Sequence, residues 1–393
     1  MLDACVPGRQ GGLRKNLDGK LAYYSFHTGA MKDYLPLSLG SDTSRRISDC
    51  RALLGEIEGM SRFIPNVGMY LTMYVRKEAL LSSQIEGTQC TFDDILDPVN
   101  RRNASRDLSD VINYVKASDR AVELLKTMPL CMRMLREVHA ILLSDVRGAD
   151  KMPGEVRTSQ NWVGPTGCTL ADASYVPPNV DDMKAALSDL EVFLNDDTTT
   201  DPIIKAALAH YQFETVHPFL DGNGRMGRLL VTLSLMNDGV LSRPIIYPSY
   251  ELKRRRSEYY DWLMRVRETG DFEGWVGFFC GCLLRSAEDA RMTMDKLARL
   301  HEETVEVVTS RSRRSSTNVL RLLDVLEGHP IIDVKFVARE LDLSLSGANL
   351  LVREFCSLGI LEQPDANRRR YRTFAYERYL NILRQGSDPL PRV

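Results

Sequence analysis

No run of about twenty apolar residues occurs in this chain of 393 residues, so nothing in it reads as a membrane span. The opening stretch MLDACVPGRQGGLRK lacks the apolar core of a secretory signal, and a cytoplasmic location is the expectation. An excess of either charge is also missing: 51 Lys and Arg face 53 Asp and Glu, for a formal net charge of −2. That balance offers no global basic surface to nucleic acid and no acidic surplus of the kind found in disordered chains. Any polyanion site must be local. Eight cysteines are present (Cys5, Cys50, Cys90, Cys131, Cys168, Cys280, Cys282 and Cys356), but no C-x-x-C. Only Cys280 and Cys282 are near neighbours. Residues two apart on a helix point to different sides, so they make a poor metal pair. All eight read as reduced thiols. No zinc spacing links the histidines, and no internal repeat is visible.

What is present is an apolar fraction of 44%, ordinary for a chain with a real core, in a length that suggests two or three domains. The first 35 or so residues are rich in Gly and Lys with little periodicity and read as an arm. Helical patterning begins near Ser44. A long helix is expected over Asn66 to Glu86, with Tyr70, Tyr74, Leu81 and Ile85 on one stripe and Gly87 as its stop. A polar linker, DPVNRRNASRD, follows. Helices then run through Val111 to Leu125 and through Leu135 to Leu142. From Pro153 to Asn179 the composition turns to Gly, Pro, Thr and Asn, a long loop or short hairpin of the kind that is often functional. Asp201-Pro202 caps a helix running to about Val216. Further helices are expected over Arg225 to Asn237, Arg256 to Arg267 and Phe272 to Leu284, with a polar continuation to about Val308.

Between two of these helices stands HPFLDGNGRMGR, from His217 to Arg228. Its glycines let backbone N–H groups turn inward, and the following helix N-terminus adds partial positive charge, together an anion site suited to phosphate. Arg225 and Arg228, three apart, share a helix face and can hold phosphate oxygens by paired hydrogen bonds. Asp221 is the one acid in this positive loop, a hard oxygen ligand of the sort Mg²⁺ prefers. His217 at its edge can accept a hydroxyl proton near neutral pH. The implied chemistry is attack by a hydroxyl on a nucleotide phosphorus. A lone GNG would be an ordinary turn between helices; every required residue type in order is not.

The run resembles the signature of the Fic family, H-P-F-x-D-G-N-G-R-x-x-R, and agrees at each specified position. The resemblance implies a protein adenylyltransferase that moves AMP from ATP to Ser, Thr or Tyr hydroxyls of target proteins and of itself. It implies that His217 deprotonates the hydroxyl and Asp221 holds Mg²⁺. Gly222, Asn223 and Gly224 then bind phosphates, Arg225 contacts them too, Gly227 belongs to the same set, and Arg228 holds the γ-phosphate. Gly224 stands where the family's Doc-type kinases carry Lys, which favours nucleotidyl transfer. PGEVRTSQNWVG and SYVPPNV resemble the family's flap, which orients the target, with Ser174 and Tyr175 as candidates to lie near the nucleotide. RSEYYDWLMRVRETGDFEGW resembles the adenine-holding segment, with Tyr259 and Tyr260 at the matching positions and Arg256 one turn earlier. SSQIEG, with Ser82, Glu86 and Gly87, resembles the family's inhibitory motif, in which the glutamate pairs with the last arginine of the signature, here Arg228. An exposed glutamate at a helix end is the plain alternative.

Beyond the hinge TSRSRRSS, three short helices and a strand–turn–strand pattern read as a winged helix-turn-helix. Its third helix carries Ser346, Asn349, Arg353 and Glu354 and is not markedly basic; its wing carries Arg368, Arg369 and Arg370. DNA binding and protein docking are both open for it. The expected fold class is mostly α: an N-terminal arm and helical region over 1–100, a Fic helical core with a short β-hairpin flap over 101–285, a connecting helix and hinge over 286–316, and the winged helix over 317–393. Two alternatives accompany the transferase: a DNA-binding regulator with a nucleotide-sensing core, and a transferase that uses another donor or removes AMP. A homodimer is the expected assembly. His139 and His210, with apolar neighbours, read as satisfied structural histidines, and Trp162 as either a functional residue or a packing anchor.

Overall fold

The computed structural model describes residues 8–62, 67–98, 100, 104–146, 148–165, 167–196, 198–311, 316–364 and 372–391. The fold is mostly α, with fifteen α-helices and two two-stranded sheets among the described residues. Two compact units form, Met1–Glu58 with Asn113–Ala287, and Gly59–Ile112 with Glu288–Val393. Helices α4 (Arg106–Leu125) and α11 (Phe272–Arg311) contribute residues to both.

The first unit opens with a hairpin where the sequence suggested only an arm. Strands β1 (Gly11–Asn16) and β2 (Tyr23–Thr28) pair antiparallel, Gly11 opposite Thr28 and Asn16 opposite Tyr23. Glycine-rich composition hides this strand pair, because Gly carries no β signal of its own. Phe26 N–H donates to Val176 O at 2.9 Å, which ties the hairpin to the flap. Helix α1 (Ser41–Ser61) follows. Later come α5 (Met132–Leu142), α6 (Val180–Asp196), α7 (Pro202–Val216) and α8 (Asn223–Asn237), then α9 (Ser249–Arg254) and α10 (Arg256–Thr269). Asp201 caps α7 by accepting from Ile203 N–H at 2.9 Å, with Pro202 at the first helical position, as its sequence predicts. Helix α7 is buried on all sides, His210, Gln212 and Glu214 included, so its polar side chains must find partners inside. It packs against α8, and the six-residue turn between them, residues 217–222, holds the signature. The expected flap hairpin is present in minimal form: one antiparallel bridge, Val163 with Tyr175, closes a loop whose Gly and Pro leave no alternating run to extend a ladder.

In the second unit, α2 (Val67–Ile85) buries Tyr70, Tyr74, Leu81 and Ile85, the predicted stripe. Its end is a Schellman turn: Thr88 N–H donates to Ser83 O at 3.2 Å and Gly87 N–H to Gln84 O at 3.1 Å, with Gly87 at φ +96°. A left-handed residue is required there, which is why the glycine stops the helix. A short helix that patterning did not reveal, α3 (Phe92–Leu96), starts from a Thr91–Asp94 capping box. After α11 come α12 (Ser316–Gly328), β3 (Ile331–Asp333), α13 (Val334–Glu340), α14 (Leu345–Ser357), β4 (Thr373–Ala375) and α15 (Glu377–Leu383). Strands β3 and β4 pair antiparallel. The end of α2 is tied to this C-terminal segment. Gln84 Nε2 donates to both Cys90 O and Ser387 O at 2.9 Å, and Arg384 grips Asp93 with two bonds of 2.8 Å. The wing arginines Arg368, Arg369 and Arg370, and residues 312–315 of the hinge, lie outside the described residues.

Candidate active site

Helix α7 ends at His217, which takes a left-handed conformation (φ 50°, ψ 60°) while its N–H still donates to Phe213 O at 2.9 Å. A non-glycine residue there costs roughly 1–2 kcal/mol. The conformation turns the chain out of the helix at His217 and leaves its side chain partly exposed. The carbonyls of the last turn, which have no partner within a helix, are all met from outside. Arg267 Nη2 donates to Glu214 O at 3.3 Å, Tyr175 Oη to Thr215 O at 2.7 Å, and Arg157 Nη2 to Val216 O at 3.3 Å. His217 O accepts from Arg157 Nε at 3.0 Å and from Asn161 Nδ2 at 3.1 Å.

Asn223 closes the turn that follows. Its Oδ1 accepts from Phe219 N–H and its Nδ2 donates to Phe219 O, each at 2.8 Å. The Asn223 side chain, which the family resemblance groups with the phosphate ligands, is therefore occupied with shaping the loop; what Asn223 can offer a phosphate is its backbone N–H. Gly222, the N-cap of α8, is left-handed at φ 77°, and a Cβ there would lie 3.3 Å from His139 Nε2. The first N–H to bond within α8 belongs to Met226, on Gly222 O. The N–H groups of Asn223, Gly224 and Arg225 thus precede the helical ladder, at the positive end of its dipole. Asp221 accepts from Gly222 N–H at 2.6 Å, and its partly exposed carboxylate lies 3.8 Å from Arg225 Nη2. Arg225 and Arg228 are buried, the latter completely. A carboxylate oxygen, helix-start N–H groups ahead of the ladder and two buried guanidiniums are the donor set that phosphates with a hard divalent cation require.

His139 supports the loop from α5. Its Nδ1 accepts from Gly154 N–H at 2.8 Å, so Nε2 carries the proton and donates to Asp221 O at 2.9 Å. The ring stacks on Phe219 with centroids 3.8 Å apart. Burial pulls its pKa down to about 4. The unfolded chain, near 6.5, takes up this proton first, so the contribution is complete above pH 6.5 and is lost as pH falls towards 4. Urea unfolding of wild type and His139→Gln between pH 7 and pH 4 should show a shallower pH slope in the variant, by about 3 kcal/mol across the window. Equal slopes would exclude this role. His210, completely buried, is the second satisfied histidine: it donates Nδ1–H to Gly227 O at 2.8 Å and accepts from Tyr259 Oη at 2.9 Å, and burial lowers its pKa to about 3. It contributes equally to both proteins in that comparison.

The aromatic candidates separate. Tyr175 is buried, its ring beneath the Arg267 guanidinium at 3.8 Å, and it acts as a cap for α7. Tyr259 is a core residue bonded to His210, whereas Tyr260 keeps an exposed face with Arg256 5.6 Å from its ring centre. Trp162 closes the flap loop by donating to Cys168 O at 3.0 Å. Ser82 is buried in α2, and Glu86 and Gly87 are exposed in the turn after it. Arg157, Asn161 and Arg267 were not singled out from sequence. Buried arginine runs against the usual exposure of that residue, and none of the three lies on a periodic pattern.

Residues 129–235 match the Fic/DOC family and residues 44–123 the Fic/DOC family N-terminal region. The first span holds His217 to Arg228 and the second Ser82 to Gly87. Over these two spans the chain is similar to the Fic domain and to the segment that precedes it in that family. Protein adenylyltransferase Fic of Drosophila ananassae is 32% identical over 186 residues, 47% of this chain and 33% of that protein. Its counterpart in Drosophila grimshawi is 31% identical over 186 residues, 47% of this chain and 34% of that protein. The chain thus spans about a third of the length of the curated relatives it matches. A solved Fic family protein from Desulfovibrio desulfuricans G20 shares the fold with a TM-score of 0.54 at 18% identity, over 87% of this chain and 97% of that one. Among the described residues no helix is long and apolar enough to cross a membrane.

Proposed function

We propose that this protein is an adenylyltransferase that moves AMP from ATP onto a Ser, Thr or Tyr hydroxyl of a target protein. The observation that carries the reading is the turn from His217 to Asn223: a left-handed histidine precedes a run of helix-start N–H groups flanked by Asp221 and two buried arginines. The name of the Drosophila relatives supports it. In this reading His217 takes the hydroxyl proton as the oxygen attacks the α-phosphorus, and the bond to pyrophosphate breaks. Backbone N–H groups of Asn223 and Gly224, with Arg225 and Arg228, hold phosphate oxygens. Asp221 would hold Mg²⁺, which offsets phosphate charge when bound. Of the two tyrosines, Tyr260 is the better adenine contact, because its face is accessible.

The second part of the proposal is a brake. Glu86 sits where the helix dipole of α2 disfavours an anion, and a cationic partner such as Arg228 would offset that. Pairing would withdraw the γ-phosphate clamp. The chain's domains are read as an N-terminal helical region, a Fic core, a connecting helix and a C-terminal winged helix-turn-helix over 317–393. The exposed side of α14 carries Leu345 and Leu350 beside Ser346 and Arg353, a mixed surface better suited to protein docking than to DNA. A cytoplasmic homodimer that also modifies itself completes the proposal.

Wild type and Glu86→Gly, incubated with Mg²⁺ and α-labelled ATP, test both parts. Label should appear on protein, and more strongly on the variant. Equal labelling removes the brake. No label on the protein or on lysate proteins, with transfer from γ-labelled ATP or another nucleotide instead, removes the donor assignment.

A further inference from the structure

Arg157 is 1% exposed, yet among the described residues it has no carboxylate within salt-bridge reach, and its guanidinium donates to main-chain carbonyls. Nε donates to His217 O at 3.0 Å, Nη2 to Val216 O at 3.3 Å and to Pro178 O, and Nη1 to Ser159 O at 3.2 Å. Its own backbone N–H donates to Pro218 O at 2.9 Å. One side chain thus joins both ends of the flap, at Ser159 and Pro178, to the residues on which α7 ends. Asn161, two residues on, adds bonds to His217 O and to Phe219 O at 3.1 and 3.0 Å.

A buried cation is costly unless something meets its charge. Burial indeed lowers the pKa of Arg157, to about 10. A packing role alone would be filled more cheaply by an apolar side chain. What an apolar side chain cannot do is satisfy four carbonyls that point inward from two segments. The planar fork of fixed donors suits that task, and an ammonium, a single point, does not. Two of those bonds and the main-chain bond bracket a residue in a disfavoured backbone conformation, which persists only where its surroundings over-determine it.

We propose that Arg157 is a positioning residue for the transfer reaction: it fixes the His217 backbone in its left-handed pose and sets the flap in register with it, so that base and target hydroxyl meet. The inference rests on the proposed transfer. The phosphate-binding N–H groups sit on α8, held by Asn223 and His139, outside this clamp. Loosening the clamp should therefore slow the chemical step while leaving nucleotide affinity nearly intact. Misplacing a reacting group by about 1 Å costs on the order of a hundredfold.

The test uses the full chain in a Glu86→Gly background with Arg157→Lys and Asn161→Ala. Labelling rates per folded molecule, ATP affinity by calorimetry and the His217 ring signals in histidine-labelled NMR spectra are recorded together. The lysine variant should lose ten- to a hundredfold in rate, with ATP affinity within about twofold and the His217 signal broadened or split. The alanine variant should show the same pattern, more weakly. Unchanged rate and an unchanged His217 signal in a folded Arg157→Lys would overturn the proposal. So would loss of ATP affinity and rate in parallel. If Arg157→Lys does not fold, Asn161→Ala decides by the same criteria, since its partly exposed side chain holds the same carbonyl. If Glu86→Gly with native Arg157 fails to label, the transfer reading fails, and the NMR signal alone judges the clamp.

Discussion

His217→Ala is expected to lower protein labelling by α-labelled ATP by about a hundred- to ten-thousandfold, the range for removing a general base. The same substitution should barely affect stability. The left-handed conformation is held through the backbone by the Phe213 bond and by Arg157 and Asn161 on the His217 carbonyl; alanine keeps these and gives up the long contact of the ring Nδ1 with Glu214 O at 3.4 Å. The side chain is partly exposed, so little burial is lost. Nucleotide binding should survive as well, because the N–H groups and arginines belong to α8. The expected signature is therefore a lost rate with an unchanged urea midpoint and an unchanged ATP affinity. A residual rate within tenfold of wild type, both measured in the Glu86→Gly background, would mean that another group takes the proton.

These residues also show how far sequence reaches. The elements around the site were legible because their signals are local. Asp201-Pro202 marks where α7 starts, Gly87 where α2 stops, and Gly222 the turn into α8; each is a residue type that its backbone position demands. The signature was legible for the same reason, since its residues are contiguous. The supports were not. Arg157 comes from the flap and Arg267 from α10, 52 residues beyond the Thr215 hydroxyl that its Nε meets. Such partners are set by tertiary packing, and no spacing rule announces them. Tyr175 illustrates the limit most clearly: a flap tyrosine reads as a ligand contact until the orphan carbonyl of Thr215 is seen to need its hydroxyl. The N-terminal hairpin was missed because glycine at β1 erases the alternation by which strands are recognised.

Asn223 is where position in the signature and role diverge, and its substitution tests the difference. Asn223→Ala removes both bonds to Phe219. The carbonyl of Phe219 keeps a bond from Asn161 Nδ2 at 3.0 Å, but its N–H, which donates to Asn223 Oδ1, loses that acceptor. Phe219 is completely buried, so water cannot readily replace the lost acceptor. An orphaned buried donor plus a lost second bond should cost about 2–4 kcal/mol, read as a lower urea midpoint at unchanged m. Phe219 also carries the stack on His139, so the displaced loop should blur the pH dependence assigned to that histidine. Asn223→Asp separates shape from charge. A carboxylate still accepts from Phe219 N–H, so less stability should be lost than in the alanine variant, but it sets a negative charge at the helix start proposed to face phosphate. ATP affinity should then fall more in Asp than in Ala, while stability falls more in Ala than in Asp. If the two variants rank the same way on both measurements, Asn223 has one role and the loop is closed by something else.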